Sequence, residues 1–526
     1  MSETSDSRSA VTVGAGILLS RVLGLLRVTF FAHYFGTSST ADAFNAAGKI
    51  PNAIRNLLGE GTLSAAFVPA YSRMLARADR KASRAMASAV LGILLVGVSL
   101  LTILGIVFAP LLTQLAAPGW DAPQRALTTQ LTRVLFPMTG LMVLSGWCLG
   151  IQNSHRRFFW SYASAALWSM AQIGLLWGWG AHASDLAQLA WWLAWATLLG
   201  AALQVAAQLP EVLRLLGPIR PTLDRAAEGV LPMLRNVVPV VTALGVVQIS
   251  SFIDLQIATF LPTGAVANLN YANLLVLLPV SIFGVSVAAS SLPDLSRDSG
   301  AMDIDALLER LRGGWQRVLF YIVPSAVVCV VFGDYCVGII YRTGAFGVSQ
   351  QREVHAVLAA FAVGLVSFGS VKLLSSVYYA LQDYRTPLRS SIVSITVSAV
   401  ASIVLAYPLR HSAYGAAAIA LGTALGSYVN LSLLVRGLHR RLGPLYTATM
   451  WSGTRRIVLA SLVGTMLALA MRVAQSSQWP NAHPRLVGPP ILIAFAVTYL
   501  LSAWWMGSRE AARWLRRAPR TAVYGD

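Results

Sequence analysis

Apolar runs long enough to cross a bilayer recur along the chain, near 10–34, 40–72, 84–114, 128–152, 158–181, 186–209, 231–261, 265–293, 315–341, 353–380, 387–408, 412–436, 454–475 and 486–507. A hydrocarbon core of about 30 Å takes ~20 helical residues, so the pattern predicts fourteen transmembrane helices. The polar segments between them alternate in charge. "SRMLARADRKASR", "SHRR", the linker from Arg214 to Arg235, "DLSRDSGAMDIDALLERLRGG", "QDYRTPLR", "RGLHRRLG" and the closing "REAARWLRRAPR" fall on one side, and the other side carries almost no basic residues. Basic loops stay inside, which puts both termini in the cytoplasm. Every backbone polar group in lipid must be bonded within the fold, so the architecture is an all-α integral membrane bundle. In the long segment 294–314, Ile304, Leu307, Leu308 and Leu311 stand at helical spacing among charges, which predicts a short amphipathic interfacial helix. The polar start "MSETSDSRSA" leads into the first span without the short apolar core and small-residue cleavage site of a secretory signal, and an uncleaved first helix is expected.

Composition agrees: 56% of 526 residues are hydrophobic and 12% are charged, more apolar surface than a soluble core would bury. A net charge of +19 raises the question of nucleic acid. The basic residues are not massed on one tail or one soluble helix; they recur between spans, as membrane orientation requires, so no nucleic-acid partner is expected. Cys148, Cys329 and Cys336 lie in or beside apolar segments without metal or redox spacing and imply no disulfide framework. Nucleotide-binding, zinc-protease and nucleophile-elbow motifs are absent, so no enzyme is indicated, no cofactor is required and ATP is not the energy source within this chain. An ion gradient, the membrane potential or a lipid gradient is left to drive it.

The chain echoes itself. Pro-x-x-Ser-Arg occurs at Pro69 and at Pro293, "AFNAAGKIP" around Asn45 resembles "NLNYANLLVLLP" around Asn270, and "GIQNSHRR" aligns with "ALQDYRTP" when Gln152 is set against Gln382. The offsets are 224, 225 and 230, each at the same point in the topology. Helices one to six (1–213) therefore read as a copy of helices seven to twelve (214–440), with 441–526 supplying two extra helices and a basic tail. Six is even, so both copies insert with one orientation. The plan is two six-helix lobes about a pseudo-two-fold axis along the membrane normal, with a substrate path between them.

Charges inside the spans are the candidate chemistry, since each costs about 2.5–3.5 kcal/mol near the bilayer centre on insertion scales. Arg21, Arg27, Lys49 and Arg55 cluster in the first two spans. A guanidinium stays protonated in low dielectric and binds phosphate or carboxylate through two parallel donors, so these residues suit an anionic ligand. For Arg55 the alternative is an internal salt bridge to Glu60 or Asp254. Arg21 and Arg27 are six residues apart, about 120° around a helix, so one of them is free to be structural. Gly24 between them serves either a bend or close packing. Lys49 either lines a cavity or snorkels, and Lys372, in the tenth span, reads as snorkelling or packing. Asp42 and Glu60 read as gate or salt-bridge residues. Pro279 and Gly284 mark a break in the eighth span. Asp254 is the only charged residue from Asn236 to Pro293, and an isolated carboxylate there must be protonated, pair with an arginine such as Arg27 or Arg55, or bind a cation.

The segments "SRVLGLLR", "FGTSSTADAF", "KIPNAIRNLLGEGTLSAAFVPAYS" and "YALQDYRTP" resemble the MurJ/MviN family of lipid II flippases, within the multidrug/oligosaccharidyl-lipid/polysaccharide exporter superfamily. The resemblance covers essentially the whole chain. It implies fourteen helices, the inner membrane of a bacterium, a monomer among membrane lipids, and alternating access. Its implied substrate is lipid II or a similar polyprenyl-pyrophosphate glycolipid. The family's helix-one arginines fall on Arg21 and Arg27, its helix-two acid on Asp42, and its helix-two arginine and glutamate on Arg55 and Glu60. Members with an acid at the position of Asp254 are thought to hold sodium, with Asp383 as a second candidate ligand. Two positions depart: Val28 replaces the acid common after the second helix-one arginine, and Asn273-Leu274 replaces the Asp-Arg pair common in helix eight. Either fewer arginines bind the substrate here or the substrate differs. The competing readings are a flippase for another lipid-linked glycan, a cation-coupled drug exporter, against which three arginines argue, and a membrane-embedded glycan-processing enzyme, against which the lack of acid pairs argues.

Overall fold

The computed structural model describes residues 3–77, 79–285, 304–479 and 482–517. Within these the chain is nearly all helix, with no strand. Among the described residues, nine helices are long and apolar enough to span a membrane by length and composition, and a bent pair at 42° makes a tenth. The other expected spans fall on helices that carry charges or are interrupted, or, over 158–179, on an unbroken uncharged helix made less apolar by its Ser, Trp and Gln residues.

In chain order the elements are α1 (Glu3–Phe35), α2 (Ser39–Leu58), α3 (Glu60–Ala76), α4 (Arg80–Val107), α5 (Ala109–Ala116), α6 (Ala122–Ser154), α7 (Phe158–Trp179), α8 (Leu186–Leu216) and α9 (Val230–Ala258). Then follow α10 (Ala265–Pro279), α11 (Ile304–Val331), α12 (Gly333–Tyr341), α13 (Val348–Val363), α14 (Leu365–Ala380), α15 (Arg385–Ala406), α16 (Gly415–Leu442), α17 (Ala448–Gln478), α18 (Pro484–Trp505) and α19 (Arg509–Arg517). Side chains start the helices where polar residues precede apolar runs. Ser38, Asp79, Asp121, Asp185 and Thr447 each accept a backbone N–H three residues on, satisfying a donor the helix leaves open.

The expected second span is two helices. At Gly59 the chain departs from helical geometry, and a Cβ there would lie 2.5 Å from the Arg55 carbonyl oxygen. The break leaves Arg55 in the last turn of α2, where the helix dipole favours a cation. The expected tenth span likewise bends at Gly364, between α13 and α14. After Pro279, α10 passes into π-type turns over Val280–Val285, in keeping with a proline that removes one helical donor. The separate interfacial helix expected over 294–314 does not form in its described part: Ile304 opens α11, and Leu307, Leu308 and Leu311 are buried in its first turns. Those leucines face packing neighbours, and residues 294–303 lie outside the described ones.

Packing divides the chain into two compact units, Met1–Ala267 with Thr343–Phe346, and Asn268–Arg342 with Gly347–Asp526. In the first, α6 is the hub, packed by α2, α3, α4 and α8, while α1 lies on α7 and α9 on α3 and α2. In the second, α15 and α16 form the tightest pair, α11 contacts α13, α14 and α17, and α17 pairs with α18. This division does not score the lobe boundary at 213, because packing defines a unit and duplicated sequence defines a repeat.

The repeat is visible inside each unit at a constant offset. Among the described residues, Arg156 and Gln382, 226 positions apart, are the two non-glycine residues with left-handed backbone, φ 56° and 58°. Each follows a helix whose last turn closes through a six-residue bond, Arg157 N–H to Gln152 O at 2.8 Å and Asp383 N–H to Tyr378 O at 2.9 Å. Gln152 Nε2 donates to Gln208 O, and Tyr378 Oη donates to Leu434 O. Gly217 and Gly443, at φ 72° and 90°, end α8 and α16. A Cβ on Gly200 would crowd the Trp168 carbonyl oxygen, and one on Gly426 the Ser394 carbonyl oxygen. All these pairs share the offset 226. The alignment of Gln152 with Gln382 is therefore corrected: Gln152 corresponds to Tyr378, a different side chain doing the same job of tying two helices through a backbone carbonyl.

Candidate functional site

A cavity of about 430 Å³ opens within the first unit, among α1, α2, α6, α7, α8 and α9. From α1 it takes Ser20, Gly24 and Arg27, which lie on one helical face at spacings of four and three. Arg21 is about 120° away from Arg27, is exposed, and does not line the cavity. The α1 helix runs unbroken past Gly24, and a Cβ there would meet nothing within 4 Å, so this glycine keeps space open.

Arg27 and Arg55 converge on one indole. The guanidinium carbon of Arg27 lies 4.7 Å from the Trp168 ring centroid and that of Arg55 lies 5.9 Å from it. Such contacts stabilise by about 0.5–2 kcal/mol, more as water is excluded. Arg27 Nη1 also donates to Gln172 Oε1 at 3.4 Å, one turn along α7. Beside them runs a polar ladder: Gln204 donates to Ser145 at 2.9 Å, Ser145 to Gln208 at 3.3 Å, and Gln208 to Ser164 at 2.5 Å. The ladder satisfies its own polar atoms in a span that offers no water, and it fixes α6, α7 and α8 around the cationic pair. The arrangement presents two guanidiniums to an anion of phosphate or carboxylate type.

The other candidates fall elsewhere. Lys49 does not line the cavity; its Nζ donates to Ser251 Oγ on α9 at 3.1 Å, and Asp254, one turn on, acts on it electrostatically. Asp42 is 1% exposed, and its two oxygens accept from Gly264 N–H at 2.6 Å and Ala267 N–H at 2.7 Å, so its partners are open backbone donors at the start of α10. The Glu60 side chain lies outside the described ones. Asp383 sits in the loop before α15. Its Oδ1 accepts from Arg385 N–H and Thr386 N–H, both at 3.0 Å, and its Oδ2 from Thr386 Oγ1 and Arg441 Nη2, both at 2.7 Å. Partial burial opposes ionisation of that carboxyl, but the Thr386 bonds and the Arg441 charge hold it below its ordinary value. In the second unit, Asn273 and Lys372 are exposed and Leu274 is half-buried. No group of three or more His, Cys, Asp or Glu suited to a metal occurs among the described residues, and the three cysteines are free thiols.

Trp168, Gln172, Ser145 and Gln204 line the cavity or bond to its residues, and charge-based reading passes over them. A signal was present: Ser161, Ser164, Trp168 and Gln172 recur at helical spacing along an otherwise apolar span. The second unit holds its own cavity, about 1000 Å³ and lined almost wholly by apolar side chains of α10, α11, α12 and α18, with Arg317 at its polar margin.

Comparison with known proteins places these features in a family. The family model described as lipid II flippase MurJ matches residues 31–486. The chain is 30% identical to the probable lipid II flippase MurJ of Rhizobium tropici over 94% of this chain and 93% of that one. It is 30% identical to the lipid II flippase MurJ of Burkholderia cenocepacia over 96% and 98% respectively. Among solved structures, lipid II flippase MurJ in an inward closed conformation superposes with a TM-score of 0.77 at 22% identity, covering 96% of this chain and 100% of the other. An inward-facing multidrug resistance MATE transporter of the MOP superfamily aligns with a TM-score of 0.66 at 15% identity, covering 83% of this chain and 98% of that one. These structural likenesses are likenesses of fold.

Proposed function

The chain belongs to the lipid II flippase MurJ family, and from that premise we propose that it moves lipid II from the inner to the outer leaflet of a bacterial cytoplasmic membrane. The observation that carries the reading is the convergence of Arg27 and Arg55 on Trp168 in one cavity. Lipid II presents a pyrophosphate and peptide carboxylates, and the two guanidiniums offer forked, permanently charged donors to either. The indole holds both side chains in place before substrate arrives, which lowers the ordering cost of binding.

Transport then follows by population shift. The substrate headgroup binds the conformation open to the cytoplasm, and exchange with a conformation open outward releases it, which is alternating access. The chain is a carrier with no covalent step, works as a monomer, and keeps both termini in the cytoplasm, as its basic loops require. A second reading rests on Asn273-Leu274, where a neutral pair leaves α10 without a cation: the cargo is another undecaprenyl-pyrophosphate glycan. Depleting the resident lipid II flippase of a bacterial host separates the two. Sustained growth with outer-leaflet lipid II supports the first reading, and failure by a chain present in the membrane at normal amounts overturns it.

A further inference from the structure

The family resemblance implies a sodium ion at Asp254 with Asp383 as a second ligand, and the residues do not fit one. Asp383 already accepts four hydrogen bonds on its two oxygens, from Arg385, twice from Thr386 and from Arg441, which fills the lone-pair sites of a carboxylate. Asp254 stands one turn along α9 from Ser251, the residue that holds the Lys49 ammonium. Lys49 Nζ reaches across from α2 to Ser251 Oγ at 3.1 Å, and Asp254, three residues further along the same helix, is the carboxylate whose charge acts on it. We propose that Lys49 is a tethered counter-ion of Asp254 that takes the place of a metal cation, so that this chain holds no sodium there and its transport cycle does not draw on a sodium gradient.

The physical reason is charge compensation in a medium that solvates no ion. Asp254 is the only charged residue from Asn236 to Pro293, and within a span it needs a positive partner. A sodium ion would supply one charge through several oxygen ligands and leave with its gradient. Lys49 supplies the same charge through a covalent tether, with one of its three N–H donors already placed on Ser251. It also joins α2, which carries Arg55, to α9, which contributes Leu244 to the cationic cavity. The Lys49–Ser251 bond therefore ties two walls of that cavity together. The inference concerns charge balance within this chain and stands apart from the identity of the glycolipid.

The test is the thermal midpoint of the purified full-length protein in sodium against potassium at constant ionic strength, for the wild type, Lys49→Met, Asp254→Asn and the double variant. The wild type is expected to respond identically to the two ions. Lys49→Met removes that positive charge, so its midpoint falls by roughly 5 °C or more, and sodium but not potassium restores part of the loss. In the double variant the deficit shrinks and the sodium response vanishes. If Lys49→Met is too unstable to purify, recovery of folded protein on adding Asp254→Asn is the expected rescue. A sodium-specific rise in the wild type that disappears in Asp254→Asn would overturn the proposal, as would additive effects of the two substitutions with no rescue.

Discussion

The guanidinium of Arg27 lies 4.7 Å from the centre of the Trp168 indole, on a helix that packs directly against its own. Trp168 has no charge and no family motif around it, yet it touches both cations of the cavity. Its counterpart at the repeat offset is Ser394, whose hydroxyl donates to the Gly426 carbonyl oxygen. The two halves thus share a framework and differ in chemistry at this position. Trp168→Ala is expected to lower apparent affinity for the glycolipid by about 3- to 30-fold, following the strength of cation–π contacts. Trp168→Phe should recover part of the loss because it keeps a ring face. Unchanged affinity in Trp168→Ala, at normal protein abundance, would make the indole simple packing.

Arg55 and Gly24 both line the cavity and test it in different ways. Arg55→Ala should abolish flipping while folded protein remains in the membrane, and Arg55→Lys should restore little, because a point charge lacks the fork. Gly24→Leu should also abolish flipping by filling open space, without the loss of stability that a close-packed glycine would show. Expression level and thermal midpoint, measured beside transport, distinguish these results from unfolding.

Asp42 predicts a stability effect of another kind. Its carboxylate accepts two backbone N–H groups at 2.6 and 2.7 Å, so Asp42→Ala strands two buried donors and should cost about 2–4 kcal/mol, at about 1–2 kcal/mol for each. Asp42→Asn keeps one acceptor oxygen and should retain an intermediate midpoint. Equal midpoints for all three proteins would show that water replaces the cap.

Acid sensitivity has a candidate in the loop after α6. Burial holds the His155 imidazole below its ordinary value of 6.5, and Tyr71 Oη lies 3.0 Å from its Nε2. The fold favours the neutral ring, so its stabilisation is complete above pH 6.5 and is lost as pH falls through the lowered folded value. Thermal midpoints taken from about pH 7.5 down to about pH 5 should drop more steeply in the wild type than in His155→Gln. Parallel curves would assign the sensitivity to another group.

Orientation is checked by cysteine labelling in a background free of Cys148, Cys329 and Cys336. Gly264 makes a poor probe, since its φ is +96° and a Cβ there would lie 2.7 Å from the Thr37 carbonyl oxygen; Ser83 is buried. Exposed positions serve better. Cysteines at Ser184 and Ser349 should react with an impermeant thiol reagent from outside, and those at Ala226 and Ala448 should not. Reversed labelling at any two of these would contradict the topology.

Much of this molecule is legible in its sequence because a bilayer permits few solutions. Twenty apolar residues make a helix, and a buried arginine demands a reason, which is how Arg27 and Arg55 stand out. Less legible were features set by contact between distant segments. Nothing local in "NLLGEG" fixes the break at Gly59, and nothing near Asp254 in the chain announces Lys49, about two hundred residues away and on another helix. Asp42 reads as a gate or salt-bridge acid, whereas its partners are the backbone donors of Gly264 and Ala267. The repeat was visible in outline, but its register came from backbone geometry at Arg156 and Gln382, because both turns adopt the same left-handed conformation with different side chains.

The most direct measurement is lipid II translocation by the purified protein in proteoliposomes, with Arg27→Ala/Arg55→Ala as the matched control. The account predicts that lipid II placed in one leaflet becomes accessible in the other with the wild type, and that the double variant, folded and equally reconstituted, gives only the rate of empty vesicles. Equal translocation by the wild type and the double variant would contradict it, since the two guanidiniums gathered by Trp168 would then not be what holds the cargo.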